Sequence, residues 1–181
     1  MKTLFVVAGA NGSGKTTFAK MYSRFENIAF LNADKIAEEI EGNNNIKAGK
    51  VFFHKIDEFL NKDESFIIET TLSGKYFRKI MQKARNKGYH LVLIYLFLET
   101  LDEHIYRVRN RVMGGGHDVP EQDIMRRYYR SKKLFWYEYK NLSDEWLLCY
   151  NGDDKYELVA DKNYVYDEIL LNSFLEDLLN E

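Results

Sequence analysis

Nine consecutive residues near the start of the chain, Gly9-Ala10-Asn11-Gly12-Ser13-Gly14-Lys15-Thr16-Thr17, have the types and spacing of a cradle for phosphate. A triphosphate packs several negative charges at short spacing. Whatever holds it must turn backbone N–H groups inward and keep Cβ atoms out of the way, and Gly9, Gly12 and Gly14 allow that approach. Lys15 follows as a mobile cation for the β and γ phosphates, and Thr16 offers a hydroxyl to Mg²⁺. The helix these residues open turns its positive dipole end toward the anion. The run before them, Thr3-Leu4-Phe5-Val6-Val7-Ala8, is apolar and of strand length, so the pattern reads as strand, P-loop, helix.

Three further groups could act on a phosphate delivered there. Asp34 follows the apolar run Ile28-Ala29-Phe30-Leu31-Asn32 and could accept the proton of an acceptor hydroxyl or help order Mg²⁺; an aspartate there also makes a good helix N-cap. Glu69-Thr70-Thr71 closes a third apolar run. Its carboxylate and hydroxyls could hold an alcohol or sugar acceptor, reach Mg²⁺ through water, or cap a turn. The third group is an arginine block: Arg107 and Arg111 on one helix, Arg126, Arg127 and Arg130 on the next, with Gly114-Gly115-Gly116-His117-Asp118-Val119-Pro120 between them. Two helices joined by such a hinge form a lid whose guanidinium groups stabilise charge on a transferring phosphate and exclude water, with His117 positioning it.

These groups must be carried by elements that bring them together. Strand-length runs at Ser65–Thr70, His90–Leu98 and Trp146–Tyr150 alternate with helical periodicity over Lys47–Asn61, Lys75–Asn86, Leu101–Met113 and Glu121–Tyr139. A shorter helix from Asp34 through Ile36, Ala37 and Ile40 is expected before the Gly42-Asn43-Asn44-Asn45 break. Tyr156–Ala160 pairs back as an added antiparallel strand, and Tyr166–Leu179 closes the chain as an amphipathic helix. Alternation of this kind specifies an α/β fold with a parallel sheet and helices on both faces. Right-handed crossovers bring the C-terminal strand ends to one edge, where the P-loop, Asp34 and Glu69 meet.

The whole chain sets the outer limits. With 181 residues, 45% of them hydrophobic, it suits one domain over residues 1–181, with the lid at about 107–133. A net charge of −2 argues against bulk binding to nucleic acid or an anionic membrane. Residues 107–133 are nevertheless basic, with eight Lys and Arg against three acids, whereas residues 153–181 carry nine acids against two bases. The single cysteine, Cys149, sits in an apolar run as a buried thiol and forms no internal disulfide; the expected compartment is the cytoplasm. No membrane span or signal peptide is expected. Tyr128, Tyr129, Phe135, Trp136, Tyr137 and Tyr139 interleave with Arg130, Lys132 and Lys133, a pattern for a lid helix packing on the core or for a surface that stacks bases.

Taken together, the P-loop, Asn32-Ala33-Asp34, Glu69-Thr70-Thr71-Leu72-Ser73-Gly74, Arg107-Val108 through Arg111-Val112, Gly115-Gly116-His117-Asp118-Val119-Pro120-Glu121 and Arg126-Arg127-Tyr128 resemble the short branch of the zeta-toxin-like P-loop kinases, over residues 1–134. The resemblance implies a kinase-like five-stranded parallel sheet in the order 2-3-1-4-5, with ATP and Mg²⁺ as cofactors. It implies Lys15 and Thr16 on phosphate and Mg²⁺, Asp34 as base, Glu69 and Thr71 on the acceptor, and Arg111 and Arg127 on the phosphates. The implied acceptor is a hydroxyl of a small molecule, with a UDP-activated amino-sugar as the family's example, and an antitoxin protein is the implied partner. Two rivals stay open: a kinase of nucleic-acid ends, and a nucleotide-dependent regulatory ATPase acting through a protein partner.

Overall fold

The computed structural model describes residues 1–33, 36, 45–152 and 155–179. Asp34, most of the short helix expected after it, and Gly42-Asn43-Asn44 lie outside the described residues.

Six strands form one sheet: β1 (Thr3–Ala8), β2 (Ala29–Leu31), β3 (Phe66–Thr70), β4 (His90–Phe97), β5 (Glu145–Tyr150) and β6 (Glu157–Asp161). Their order is β2-β3-β1-β4-β5-β6. The first five run parallel, in the expected order, and β6 pairs antiparallel with β5 at the edge. The helices are α1 (Lys15–Glu26), α2 (Asn45–Lys62), α3 (Phe77–Asn86), α4 (Leu101–Met113), α5 (Glu121–Leu134) and α6 (Glu168–Leu179). Among the described residues no helix is long and apolar enough to cross a membrane.

Both faces of the sheet are covered, which is why its central strands are apolar at successive positions. In β1 and β4, Leu4, Val6, Ala8, Leu91, Leu93, Tyr95 and Phe97 enter the larger core with α2, α3 and α6. Their alternates, including Val7, Val92, Ile94 and Leu96, enter the core packed by Phe18, Ala19 and Tyr22 of α1. The period-two alternation of a strand thus feeds two cores at once. On α3 the buried residues Phe77, Ile80, Met81 and Ala84 follow helical spacing. The helix α4 opens with a capping box, Thr100 and Glu103 each bonding the other's backbone N–H.

The long helix expected over Glu121–Tyr139 is continuous, but its end widens into a π-helical turn, Phe135–Tyr139, before a last turn, Lys140–Leu142. Phe135 and Tyr139 are both fully buried there. Register aligns the strand ends: Ala8 lies beside Thr70 and Tyr95, and Leu31 beside Ile68. The chain therefore leaves β1, β2 and β3 at one edge, with Asn32 next after β2 level with Glu69 of β3.

Candidate active site

The P-loop wraps the N-terminus of α1, with Gly12 and Gly14 at φ of 83° and 89°. Its glycines answer first to the protein around them. A Cβ on Gly9 would come 2.2 Å from the Leu96 carbonyl oxygen, one on Gly12 2.7 Å from the His104 carbonyl oxygen, and one on Gly14 2.2 Å from Asn151 Nδ2. The sequence reading gave these glycines to phosphate approach; close packing on β4, α4 and the end of β5 demands them as well. Lys15 Nζ donates to the Ala10 carbonyl at 2.8 Å.

In front of this loop lies a cleft of about 660 Å³, within the size range of small-molecule sites. Asn11, Gly12, Gly14, Lys15, Thr16 and Thr17 line it, whereas Gly9, Ala10 and Ser13 are buried behind its wall. Glu69, Thr70 and Thr71 line a second side. Asn32 Nδ2 donates to Glu69 Oε1 at 2.7 Å, so the ends of β2 and β3 are joined at the cleft. The Thr71 hydroxyl lies 3.0 Å from that of Ser73, and the Thr70 hydroxyl caps the turn by accepting from Leu72 N at 3.0 Å. Gly49, Phe52, Phe53 and Phe77 add an apolar side.

Of the five arginines, Arg107, Arg111 and Arg127 line the cleft, together with His117 and Val119. Arg111 Nη2 donates to the His117 carbonyl at 2.6 Å, tying the hinge back onto α4. Arg107 Nη2 donates to the Gly152 carbonyl at 2.6 Å, and Arg127 Nη1 to Asn11 Oδ1 at 3.2 Å. Arg126 and Arg130, the other two candidates of the block, are not among the described residues that line the cleft. Arg126 is exposed and paired with Asp123 at 2.8 Å, and Arg130 is exposed. One step along a helix is a turn of about 100°, which carries Arg126 off the face that Arg127 turns to the cleft. Among the described lining residues, Lys15 and three arginines face one carboxylate, Glu69, a balance suited to a polyanion.

The aromatic strip faces the core. Tyr128, Phe135 and Tyr139 are buried, and so is Lys132, which is 1% exposed and paired with Asp177 of α6. The base-stacking reading loses these three rings, while Tyr137, 55% exposed, stays at the surface and Tyr129 and Trp136 are half-buried. Cys149 is buried, and burial pushes its thiol up to about 12.

Three residues that the motif search passed over hold the P-loop from behind. His104 Nδ1 bonds the Asn11 carbonyl at 2.7 Å, Asn151 Nδ2 donates to the Ser13 carbonyl at 2.9 Å, and the Tyr156 hydroxyl donates to the Gly14 carbonyl at 3.2 Å. Burial first, then the cations Lys15, Lys132 and Arg107, hold the His104 imidazole down to about 3, so it is neutral. A carbonyl only accepts, so Nδ1 carries the proton. The signal for Asn151 is present in the sequence: it follows a buried parallel strand directly, as Gly9 does. His104 gives no such signal, being one buried position on an amphipathic helix.

Comparison with known proteins agrees with this fold. A family model described as AAA domain matches residues 4–133. An uncharacterized protein of Haemophilus influenzae is 29% identical over 124 residues, 66% of this chain and 88% of that one. Among solved structures, one from the PezAT chromosomal toxin-antitoxin system of Streptococcus pneumoniae matches 100% of this chain and 80% of its own, with TM-score 0.68 and 16% identity. The structure of AvrRxo1-ORF1:-ORF2 with ATP matches 96% of this chain and 63% of its own, with TM-score 0.76 and 15% identity. At such identities what is shared is the fold, a P-loop kinase-like α/β sheet.

Proposed function

This chain belongs to the AAA domain family, and from that membership and the cleft we propose that it is an ATP-dependent phosphotransferase of the zeta-toxin-like kind, moving a γ-phosphate to a hydroxyl of a small molecule. One observation carries the reading: Lys15 and Thr16, the Glu69–Thr71 strand end and three arginines from two helices line a single cleft.

The donor set suits Mg²⁺ and ATP. The P-loop amides at the N-terminus of α1, with Lys15, would bind the phosphates, and Thr16 would offer its hydroxyl to the metal. When bound, Mg²⁺·ATP supplies an electrophilic phosphoryl group whose negative charge the protein must neutralise. Arg111 and Arg127 act there, spreading charge while the α4–α5 hinge closes out water. Glu69 and Thr71 orient the acceptor through hydrogen bonds. Asp34 takes the proton from its hydroxyl; it follows β2, whose neighbour β3 carries Glu69.

Support for a protein partner, which the zeta-toxin resemblance makes an antitoxin, comes from the two solved relatives, one from a toxin-antitoxin system and the other a two-component complex. The nucleic-acid-end reading loses weight with the burial of Tyr128, Phe135 and Tyr139.

The test is a labelled-phosphate and intact-mass screen. The protein is incubated with Mg²⁺·ATP and UDP-N-acetylglucosamine, other nucleotide sugars, free sugars or RNA ends, with Lys15→Ala and Asp34→Asn alongside. Label on a small molecule, lost in both variants, is the expected outcome. Hydrolysis without a labelled acceptor, equal in the wild type and Asp34→Asn, rejects the kinase in favour of a nucleotide-dependent switch.

A further inference from the structure

The P-loop shows its amides to the cleft only if its carbonyls point elsewhere; those of Asn11, Ser13 and Gly14 each accept from a side chain far away in the sequence, and that of Gly14 accepts also from the Phe18 N–H of α1 at 3.0 Å. In a trans peptide the C=O of one residue and the N–H of the next point in opposite directions. Holding the Asn11 carbonyl away from the cleft therefore sends the Gly12 N–H toward it. The same holds for Ser13 with Gly14, and for Gly14 with Lys15. The three donors are His104 of α4, Asn151 just after β5, and Tyr156 just before β6.

Each donor is itself fixed. The His104 ring is 1% exposed and meets Tyr128 edge-on at 5.1 Å, and Tyr128 donates to Asp177 of α6. Asn151 is buried, and its own backbone N–H donates to the Phe97 carbonyl at 3.0 Å. The Tyr156 ring packs on Phe18 of α1 with centroids 5.0 Å apart. A Cβ on Gly14 would collide with Asn151 and come 3.3 Å from the Tyr156 hydroxyl, so these side chains stand directly against the loop. Asn11 is a junction: its backbone carbonyl is held by His104, and its side chain accepts from Arg127.

We propose that His104, Asn151 and Tyr156 are positioning residues for nucleotide, orienting the P-loop amides from behind. The inference rests on the proposed function, since it gives the loop a nucleotide to hold. It also extends the nucleotide site beyond residues 4–133, the span of the family model, because Asn151 and Tyr156 lie outside it. These residues touch no substrate; they act through the peptide planes, so that an anion meets preset donors rather than donors it must arrange.

The experiment is titration calorimetry of Mg²⁺·ATP on the full chain, with Lys15→Ala as the reference loss. His104→Asn puts an amide N–H close to where Nδ1 stood, whereas His104→Gln carries it one methylene further. The proposal expects His104→Asn to bind within about threefold of wild type and His104→Gln about tenfold more weakly, the loss of one buried hydrogen bond. Asn151→Asp is expected to lose at least as much, because an ionised carboxylate has no proton to give the Ser13 carbonyl. Tyr156→Phe, which keeps the ring on Phe18, is expected to weaken binding by about threefold. Equal losses in His104→Asn and His104→Gln overturn the proposal, since a merely structural histidine does not distinguish the two amides. So does wild-type affinity in His104→Gln, Asn151→Asp and Tyr156→Phe while Lys15→Ala stays defective, and the proposed function then survives. A wild type that binds no nucleotide overturns the proposed function and this inference together.

Discussion

The two charged walls of the cleft are built differently. The P-loop wall is backed by buried donors, and the strands behind it contribute fully buried residues to two cores. The opposing wall, the hinge between α4 and α5, rests on a small cluster of its own, Val108, Val119 and Ile124, with Leu101 and Ile105 against it. Its outer face is laced by exposed ion pairs, Arg109 with Glu121 and Arg126 with Asp123. Local stability follows buried apolar contact, so the first wall is preset and the second is the one free to rearrange. That division would suit the proposed phosphoryl transfer, with the nucleotide on the fixed wall and Arg111 and Arg127 brought to it by the other.

The contrast can be broken most sharply at Gly9. A valine there must place its Cβ on the Leu96 carbonyl at a backbone φ of 141°. Gly9→Val is expected to cost more than about 4 kcal/mol and to abolish nucleotide binding, as thermal unfolding and calorimetry would show. On the other wall, Arg111→Ala and Arg127→Ala are each expected to lower kcat by about 10²–10³, with ATP affinity and unfolding midpoint little changed. A loss confined to KM for ATP would move those arginines from the transition state to ground-state binding.

A smaller effect separates the walls by pH. The unfolded chain protonates His104 near the ordinary histidine pKa of about 6.5, whereas the folded chain holds off to about 3. The unfolded state thus binds more protons between these values, so the stabilisation is complete above about pH 6.5 and lost as pH falls toward 3. Lys15, Lys132 and Arg107 push the same way. The unfolding midpoint of the wild type is expected to fall between pH 7 and 5, a change on the order of 1–2 kcal/mol, and to fall less in His104→Asn. The smallest effect belongs to the exposed pair: Arg109→Ala or Glu121→Ala is expected to change stability by no more than about 1 kcal/mol. A larger loss there would show that the hinge is held as firmly as the P-loop.

Much of this was readable from residues one to four apart. The apolar run of β1 and the nine residues after it announce strand, loop and helix because their constraints are local: an apolar strand, glycines at a tight turn, a lysine at a helix start. Glu69 and Thr71 were legible for a related reason, since a strand end in a parallel sheet marks the binding edge. The edge strand β6 was legible as the short run Tyr156–Ala160 that follows closely on the run of β5. What failed was the reading of faces. The run that holds Lys132 reads as a helix packing on the core or as a base-stacking surface, and neither reading shows that the cation itself is buried against Asp177, forty-five residues on. Spacing alone ranks Arg126 and Arg130 with Arg127, because it shows that residues share a helix and not which side the rest of the protein covers; the family resemblance singles out Arg111 and Arg127, and both line the cleft.

The sequence by itself determined the P-loop motif, the parallel sheet and the edge at which the candidate residues gather, and its family resemblance supplied the strand order. Only the tertiary structure showed that Arg107 joins Arg111 and Arg127 at that edge, and that His104, Asn151 and Tyr156 stand behind the loop. The reason is the length of the connection: these contacts join residues 93, 138 and 142 positions apart. A periodic pattern reports the geometry of one element, whereas a donor aimed at a carbonyl on another element depends on how the two are packed.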